Sequence, residues 1–366
     1  MNVHLPAAGH TSSLSCYRRI EQIGEGTYGQ VYKALDLRTS TPVALKKIRI
    51  HNETQGLPAT AIREIKILKA LRHHNMVELL EIITSKGRED MDEDDEREDD
   101  KRKRQAKESK EAAASRQNTQ TDGSGNLSQA SQGADLHPDD APKRVSKHLK
   151  STGNLFLVLS YAPHDLTGLL DLAYKFQPVQ IKYIFHQLLK VLDYIHEKSY
   201  IHRDIKCSNI LVMNDFTIKL ADFGLARSVK TNAWERDQQR PLTNKVITLW
   251  YRPPELLMGS TNYTSSIDMW SAGCILAELI IGRPILPGKS DAEQLSFIFD
   301  LVGNRGMKGG SGFVLGKARD SSLRDRFGSR MAEDAVTLTE KLLEPEPTRR
   351  YGAGHAMQVS LESKTR

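Results

Sequence analysis

The stretch that most constrains how this chain can fold runs from Tyr200 to Arg227, YIHRDIKCSNILVMNDFTIKLADFGLAR. It sets His202-Arg203-Asp204, then Lys206 and Asn209, then Asp222-Phe223-Gly224 at short offsets. Two short segments between them, Ile210 to Val212 and Ile218-Lys219-Leu220, predict a hydrophobic, hairpin-like segment. Taken singly, each Asp or Asn here reads equally well as a turn or cap residue. Together they suit a site that holds Mg²⁺ through oxygen ligands and orients a hydroxyl nucleophile, because Mg²⁺ favours carboxylate, carbonyl and water oxygens and shares itself with substrate phosphates. Such chemistry asks the protein for positioning and charge neutralisation.

Nearer the start lies Ile23-Gly24-Glu25-Gly26-Thr27-Tyr28-Gly29-Gln30-Val31-Tyr32. Glycines let a backbone approach phosphates closely. Alone, the G-x-G-x-x-G spacing is shared with dinucleotide sites, where a helix follows the glycines. Here Val31-Tyr32 and Pro42 to Lys46 read instead as β segments around a turn at Thr39 to Pro42. Next, Leu57 to Leu71 reads as a helix with Pro58 in its first turn and Ile62, Ile65, Leu68 and Leu71 on one face. Ile181 to His196 reads as an amphipathic core helix, with Ile184, Leu188, Leu189, Leu192 and Ile195 on one side. Ser266 to Ile281 is a hydrophobic helix.

H-R-D-x-K-x-x-N followed by D-F-G resembles the catalytic and metal-binding loops of eukaryotic protein kinases. The resemblance implies an α+β, two-lobed fold, with a small β-rich lobe holding one helix and a larger, mainly helical lobe. ATP would lie between the lobes. Asp204 would accept the substrate hydroxyl proton, Lys206 would neutralise the transferring phosphoryl group, and Asn209 and Asp222 would hold Mg²⁺. Thr248 would reach toward Asp204 and Lys206. Ile23 through Val31 (Gly24, Glu25, Gly26, Thr27, Tyr28, Gly29 and Gln30 included) would form the flap, with Val31 and Ala44 over adenine. Lys46 would grip the phosphates and be oriented by Glu64. Leu159, Ser160, Tyr161 and Ala162 would be the hinge, Asp165 would face the ribose and Leu211 would floor the pocket.

Leu57-Pro58-Ala59-Thr60-Ala61-Ile62-Arg63-Glu64 contains PATAIRE, which is similar to the helix that cyclin-dependent kinases present to a cyclin. HDLTGLL, from His164, looks like the branch of that family that phosphorylates the tail of RNA polymerase II. By the same resemblance Thr243 would be an activating phosphosite facing Arg63, Arg203 and Arg227. Val246 to Arg252 would favour proline after the phosphoacceptor, and an activating kinase would act on Thr243. Thr27 and Tyr28 match positions phosphorylated in relatives to block ATP. Asp268 would anchor the catalytic loop, and Arg350 would pair with Glu255. A T-x-Y pair, usual in mitogen-type kinases, is absent between Asp222 and Glu255.

The expected organisation is a leader over 1–16, an N-lobe over 17–87, an insertion over 88–150, a strand and hinge over 151–162, a C-lobe over 163–358 and a tail over 359–366. The insertion carries an acidic block, Glu89 to Glu96, then Lys101-Arg102-Lys103-Arg104, then a polar tract with few large apolar residues, so it should be disordered. The basic tetrad fits a nuclear localisation signal as well as a solvated linker. A nuclear location, with the cytoplasm also open, follows from the resemblance. No aromatics interleave with those charges, which argues against direct nucleic-acid binding.

The 366 residues carry a net charge of only +6, and the three cysteines are far apart with no C-x-x-C pair, so neither a disulfide scaffold nor a zinc site is indicated. The N-terminus lacks a secretory pattern, and the longest apolar run, Cys274 to Ile281, is too short for a bilayer, so no membrane role is expected. The resemblance weakens over Gly303 to Arg330, a Gly-rich basic stretch, and the usual last helix is cut short. Two readings remain at this point. One is a cyclin-dependent Ser/Thr kinase. The other is a cyclin-binding pseudokinase or scaffold with an eroded C-lobe.

Overall fold

The computed structural model describes residues 13–26, 29–48, 57–85, 154–229, 242–305 and 317–362. These fall into two compact units. In the smaller, Leu14–Cys16 makes one 3₁₀ turn, Ser13 bridges Thr84, and the Ser85 amide donates to the Asn154 carbonyl at 2.9 Å. The 88–150 insertion lies outside the described residues.

The larger unit has the two-lobed α+β architecture. Its first lobe is built on a sheet of strand order β1-β2-β3-β5-β4, with β1 (Tyr17–Gly26), β2 (Gly29–Asp36) and β3 (Thr41–Ile48) wholly in this unit, β4 (Leu79–Thr84) in it as far as Ile82 and β5 (Leu155–Ser160) from Leu157 on. One helix, α1 (Ala59–Ala70), accompanies it. The β1–β2 register sets Gly24 opposite Val31 and Gly26 opposite Gly29. Gly29 is required: its φ is +146°, and a Cβ there would sit 1.8 Å from the Lys47 carbonyl oxygen. The β2–β3 turn lies at Leu37 to Ser40, earlier than Thr39 to Pro42, because Ser40 takes a left-handed φ of 55° and returns its amide to the Asp36 carbonyl. Pro42 therefore belongs to β3, opposite Leu35.

Helix α1 also departs from expectation. Pro58 caps it from outside, offering its carbonyl to the Ile62 amide. The buried face is Ala61, Glu64, Ile67 and Leu68, while Ile62 is exposed. Hydrophobic spacing alone favoured the Ile62 face. The ion pair of Glu64 described below turns that side inward instead.

The second lobe contains β6 (His164–Asp165), α2 (Leu166–Asp171), α3 (Pro178–Glu197), β7 (Tyr200–Ile201), β8 (Ile210–Val212), β9 (Ile218–Leu220), β10 (Arg227–Ser228), α4 (Pro254–Leu257), α5 (Ser266–Ile281), α6 (Asp291–Val302), α7 (Leu323–Phe327), α8 (Glu333–Leu342) and α9 (Ala353–Glu362). A Gln177/Gln180 capping box and Pro178 in the first turn start α3. Its Ile184, Leu188, Leu189, Leu192 and Ile195 are fully buried, each stabilising the fold by roughly 1.5–3 kcal/mol. Helix α5 is apolar nearly all round and forms the centre of this lobe. At Gly273 it meets α8 so closely that a Cβ would lie 2.8 Å from Leu342 Cβ.

Around and beyond Val302 the described residues supply further core. Leu301, Leu323, Met331, Val336, Leu342 and Ala356 are buried, and Asn304 is fastened to Arg319 in both directions. Of the Gly303 to Arg330 stretch, the described residues 303–305 and 317–330 contribute Leu323 to this core, and residues 306–316 lie outside the described residues. Among the described residues no helix is long and apolar enough to cross a membrane.

Candidate active site

A cleft of about 690 Å³ opens between the two lobes. Its roof comes from the glycine hairpin and β3 (Ile23, Gly24, Glu25, Gly29, Val31, Ala44), and its back and edge from Leu159 to Ala162. Its floor includes Leu211, with Asp165 at the rim. Asp165 is also the cap of α2, accepting from the Gly168 amide at 3.0 Å. Gln30, expected in the flap, turns away from the cleft. Side chains alternate along a strand, so Gln30 shares the face of Tyr32 and Ala34, and it accepts from the Tyr32 hydroxyl at 2.8 Å. Thr27 and Tyr28, and the surroundings of Gly26, lie outside the described residues.

At the closed end of the cleft, Lys46 Nζ donates to both carboxylate oxygens of Glu64 at 2.8 Å and to Asp222 at 3.1 Å. Burial alone would depress the lysine pKa, but Glu64 and Asp222 carry it above the ordinary lysine value, so the ammonium is held charged. Burial pushes the Glu64 carboxyl up. Burial also pushes Asp222 up, yet Lys46 outweighs it and keeps that carboxyl below the usual range. Asp222 adopts a left-handed backbone with φ +60°, a conformation costly for a non-glycine residue and common at functional sites.

The catalytic-loop residues converge from a different direction. Asp268, fully buried on α5, accepts from the backbone amides of His202 at 2.8 Å and Arg203 at 2.9 Å, and from His196 at 2.9 Å. This fixes the loop two residues ahead of Asp204. Asn209 donates to the Asp204 carbonyl at 2.8 Å and to its carboxylate at 3.1 Å. Lys206 Nζ lies 2.8 Å from the Asp204 carboxylate, and the Thr248 hydroxyl donates to Asp204 at 3.1 Å while accepting from Lys206 at 3.3 Å. A carboxylate thus stands at the cleft between an ammonium, a carboxamide and a hydroxyl.

Among the described residues no group of three or more His, Cys, Asp or Glu is clustered as a metal site. The donor set nevertheless fits Mg²⁺. The amide nitrogen of Asn209 is committed to Asp204, leaving its oxygen, with the Asp222 carboxylate, as hard ligands that phosphate oxygens and water would complete.

Around Thr243, Arg203 reaches the segment through Tyr263, whose hydroxyl donates to the Thr243 carbonyl at 2.7 Å. Arg63 donates to the Gly224 carbonyl at 2.7 Å, and Arg227 is an exposed residue of β10, paired with β7. Ile247 holds φ +66°, and its carbonyl accepts from Arg252 Nε at 3.2 Å and Nη2 at 3.0 Å. Residues not singled out from sequence also line the cleft, notably Val77, Ala221, Leu225 and Lys245. Ala221 was findable as the neighbour of Asp222. Val77 was not, since it arrives through the hydrogen bond its backbone amide donates to the Leu220 carbonyl, a tertiary contact.

The protein kinase domain family matches residues 17–95 and 143–361, so the match continues without a break through the 303–330 stretch. The chain is 42% identical over 363 residues to cyclin-dependent kinase C-1 of Arabidopsis thaliana, covering 97% of this chain and 61% of that protein. It is 37% identical over 364 residues to cyclin-dependent kinase C-3 of Oryza sativa subsp. japonica, covering 97% of this chain and 93% of that one. It is 37% identical to cyclin-dependent kinase 12 of Caenorhabditis elegans over 95% of this chain and 41% of the relative. Against the first of these, the chain spans less than two thirds of the relative's length. The scaffold alternative finds no support here, since the lapse on which it rested is spanned by the family match.

Proposed function

Because the chain belongs to the protein kinase domain family and, within it, to the cyclin-dependent kinases, we propose that it transfers the γ-phosphate of ATP to serine or threonine in protein substrates, with Mg²⁺, when bound to a cyclin. The observation that carries this reading is the joint presence, in one cleft, of the Lys46–Glu64–Asp222 triad and the Asp204–Lys206–Thr248 cluster.

Asp204 accepts the proton of the substrate hydroxyl, while Thr248 and Asn209 fix its orientation. Lys206 places its charge beside the transferring group, and Lys46 holds phosphate oxygens, itself held by Glu64. Asn209 and Asp222 are the residues to hold Mg²⁺, which neutralises phosphate charge when bound. A phosphate on Thr243 would add nearly two negative charges for Arg63, Arg203 and Arg227, drawing the segment toward its working position. The cyclin docks on α1 from Pro58 to Glu64, where Ile62 is exposed.

The preferred acceptor is Ser-Pro or Thr-Pro. The support is that the Ile247 carbonyl is occupied by Arg252 and so does not accept from a substrate amide, which proline lacks. Repeats of Tyr-Ser-Pro-Thr-Ser-Pro-Ser, as in the RNA polymerase II tail, are the proposed substrate, and the nucleus is the proposed location. The test is radiolabelled phosphate transfer to such a repeat peptide, with and without co-expressed cyclins and with Asp204→Asn as blank. Cyclin-dependent incorporation lost in the blank supports the reading. Transfer to a histone-type Ser-Pro substrate alone removes the repeat preference, and no transfer to either removes the kinase.

A further inference from the structure

Tyr263 precedes α5 and is buried, and its phenol oxygen lies between two partners that are remote in sequence. It accepts from Arg203 Nη1 at 3.0 Å and donates to the Thr243 carbonyl at 2.7 Å. Arg203 is itself a junction. Its amide donates to Asp268, its Nε donates to the Leu225 carbonyl at 2.8 Å, and its carbonyl accepts from the Ile247 amide at 3.1 Å. It does so at a φ of +67°. Burial keeps the phenol pKa above its ordinary value, so the proton stays available for donation.

We propose that Tyr263 is a positioning residue whose hydroxyl tethers the activation segment at Thr243 to Arg203 without any phosphate. The inference rests on the kinase reading for its consequence in turnover, but its geometry stands apart from it. A guanidinium donor polarises the phenol, which strengthens the onward bond to the carbonyl. The tether addresses the Thr243 backbone, whereas a phosphate would sit on its side chain, so the two devices are separate. When Thr243 is unmodified the phenol carries the greater share of holding this segment. The chain would thus keep a basal, ordered substrate wall before any activating kinase acts.

The experiment compares the full chain with Tyr263→Phe, each after phosphatase treatment and after phosphorylation at Thr243. Hydrogen exchange is followed at the amides of Leu242, which donates to Thr261, and Ile247, which donates to Arg203, against the amides of α3. In the unmodified form the variant should exchange at both amides about tenfold faster, the size expected for one buried hydrogen bond. The KM for a Ser-Pro peptide should rise by a similar factor with the KM for ATP unchanged, and phosphorylation of Thr243 should restore most of both. Unchanged exchange at Leu242 and Ile247 overturns the proposal. So does an equal effect in both forms, or equally fast exchange throughout α3, since the hydroxyl would then serve the fold as a whole. If the unsubstituted chain transfers no phosphate, the kinase reading fails, while the exchange result still decides the tether.

Discussion

Arg350 grips Glu255 with two parallel bonds, Nη1 to Oε1 at 2.7 Å and Nη2 to Oε2 at 3.0 Å, and the arginine side chain is wholly buried. Its guanidinium also lies 5.1 Å from the Trp270 ring centroid and donates to the Ser266 carbonyl at 2.9 Å. The loop ahead of α9 is thereby locked to the start of α4, just after the substrate wall. Removing one partner of a buried pair leaves the other charge uncompensated, at a cost of about 3–5 kcal/mol. Arg350→Met is expected to lower unfolding free energy by that amount in urea titration. A loss under 1 kcal/mol would show that the pair contributes little.

Glu64→Gln removes one of the two carboxylates facing Lys46. The lysine then has Asp222 as its remaining ionic partner in the triad, so its ammonium should swing toward the position Mg²⁺ requires. Turnover is expected to fall by about 10²–10³-fold. Steady-state kinetics checks this, and a variant with unaltered kcat/KM would separate Glu64 from the chemistry.

Asp204→Asn preserves shape while removing the proton acceptor. Its kcat should drop by about 10²–10⁴-fold, with nucleotide affinity changing little. Calorimetric ATP binding beside the turnover assay distinguishes the two effects. Loss of binding as large as the loss of rate would assign Asp204 to nucleotide binding instead.

Asp268 gives a pH prediction. Burial pushes its carboxyl up, but bonding and charge from His196, with the Arg203 amide, outweigh burial and hold its pKa below the ordinary value. A carboxyl whose folded pKa lies below an unfolded value of about 3.9 stabilises the fold above that pH, and the contribution is lost as pH falls through the folded value. Asp268→Asn should therefore cost about 1–3 kcal/mol at pH 7, the difference from the parent shrinking below about pH 4. Denaturation at stepped pH reads it directly. A difference at pH 3 as large as at pH 7 would contradict the assignment.

Arg252→Ala frees the carbonyls of Val246 and Ile247, to which its guanidinium donates. The backbone strain at Ile247 then has less to hold it. Selectivity for Ser-Pro over Ser-Ala peptides, as a ratio of kcat/KM values, is expected to fall by about tenfold, the worth of one or two such bonds. An unchanged ratio would detach proline preference from this arginine.

Much of the fold and of the cleft was legible because local rules and tertiary demands agree. The glycine spacing, the hairpin between Asn209 and Asp222, the apolar stripe of α3 and the largely apolar composition of α5 each name their element without help. Where they disagreed, the sequence misled. Ile62 carries the hydrophobic periodicity of α1, yet it is exposed while Glu64 faces inward and pairs with a lysine 18 residues away. Gln30 sits inside the glycine motif, but strand alternation points it elsewhere. The 303–330 stretch looked unlike the resembled pattern, yet among its described residues Gly303, Asn304 and Leu323 are buried.

The sequence by itself determined which residue types could perform the chemistry and on which element each would ride, since those follow from short-range spacing. Spacing did not say which of them meet: the resemblance named Asp204 with Thr248 and Glu255 with Arg350, and only the tertiary structure set the bonds themselves and the place of Tyr263. The Asp204–Thr248 bond, the Arg350–Glu255 grip and the Arg203–Tyr263–Thr243 chain join residues dozens of positions apart. No local period encodes such contacts. The first and last of them involve the catalytic loop, which is hung by two backbone amides from Asp268 on α5, a helix buried nearly all round.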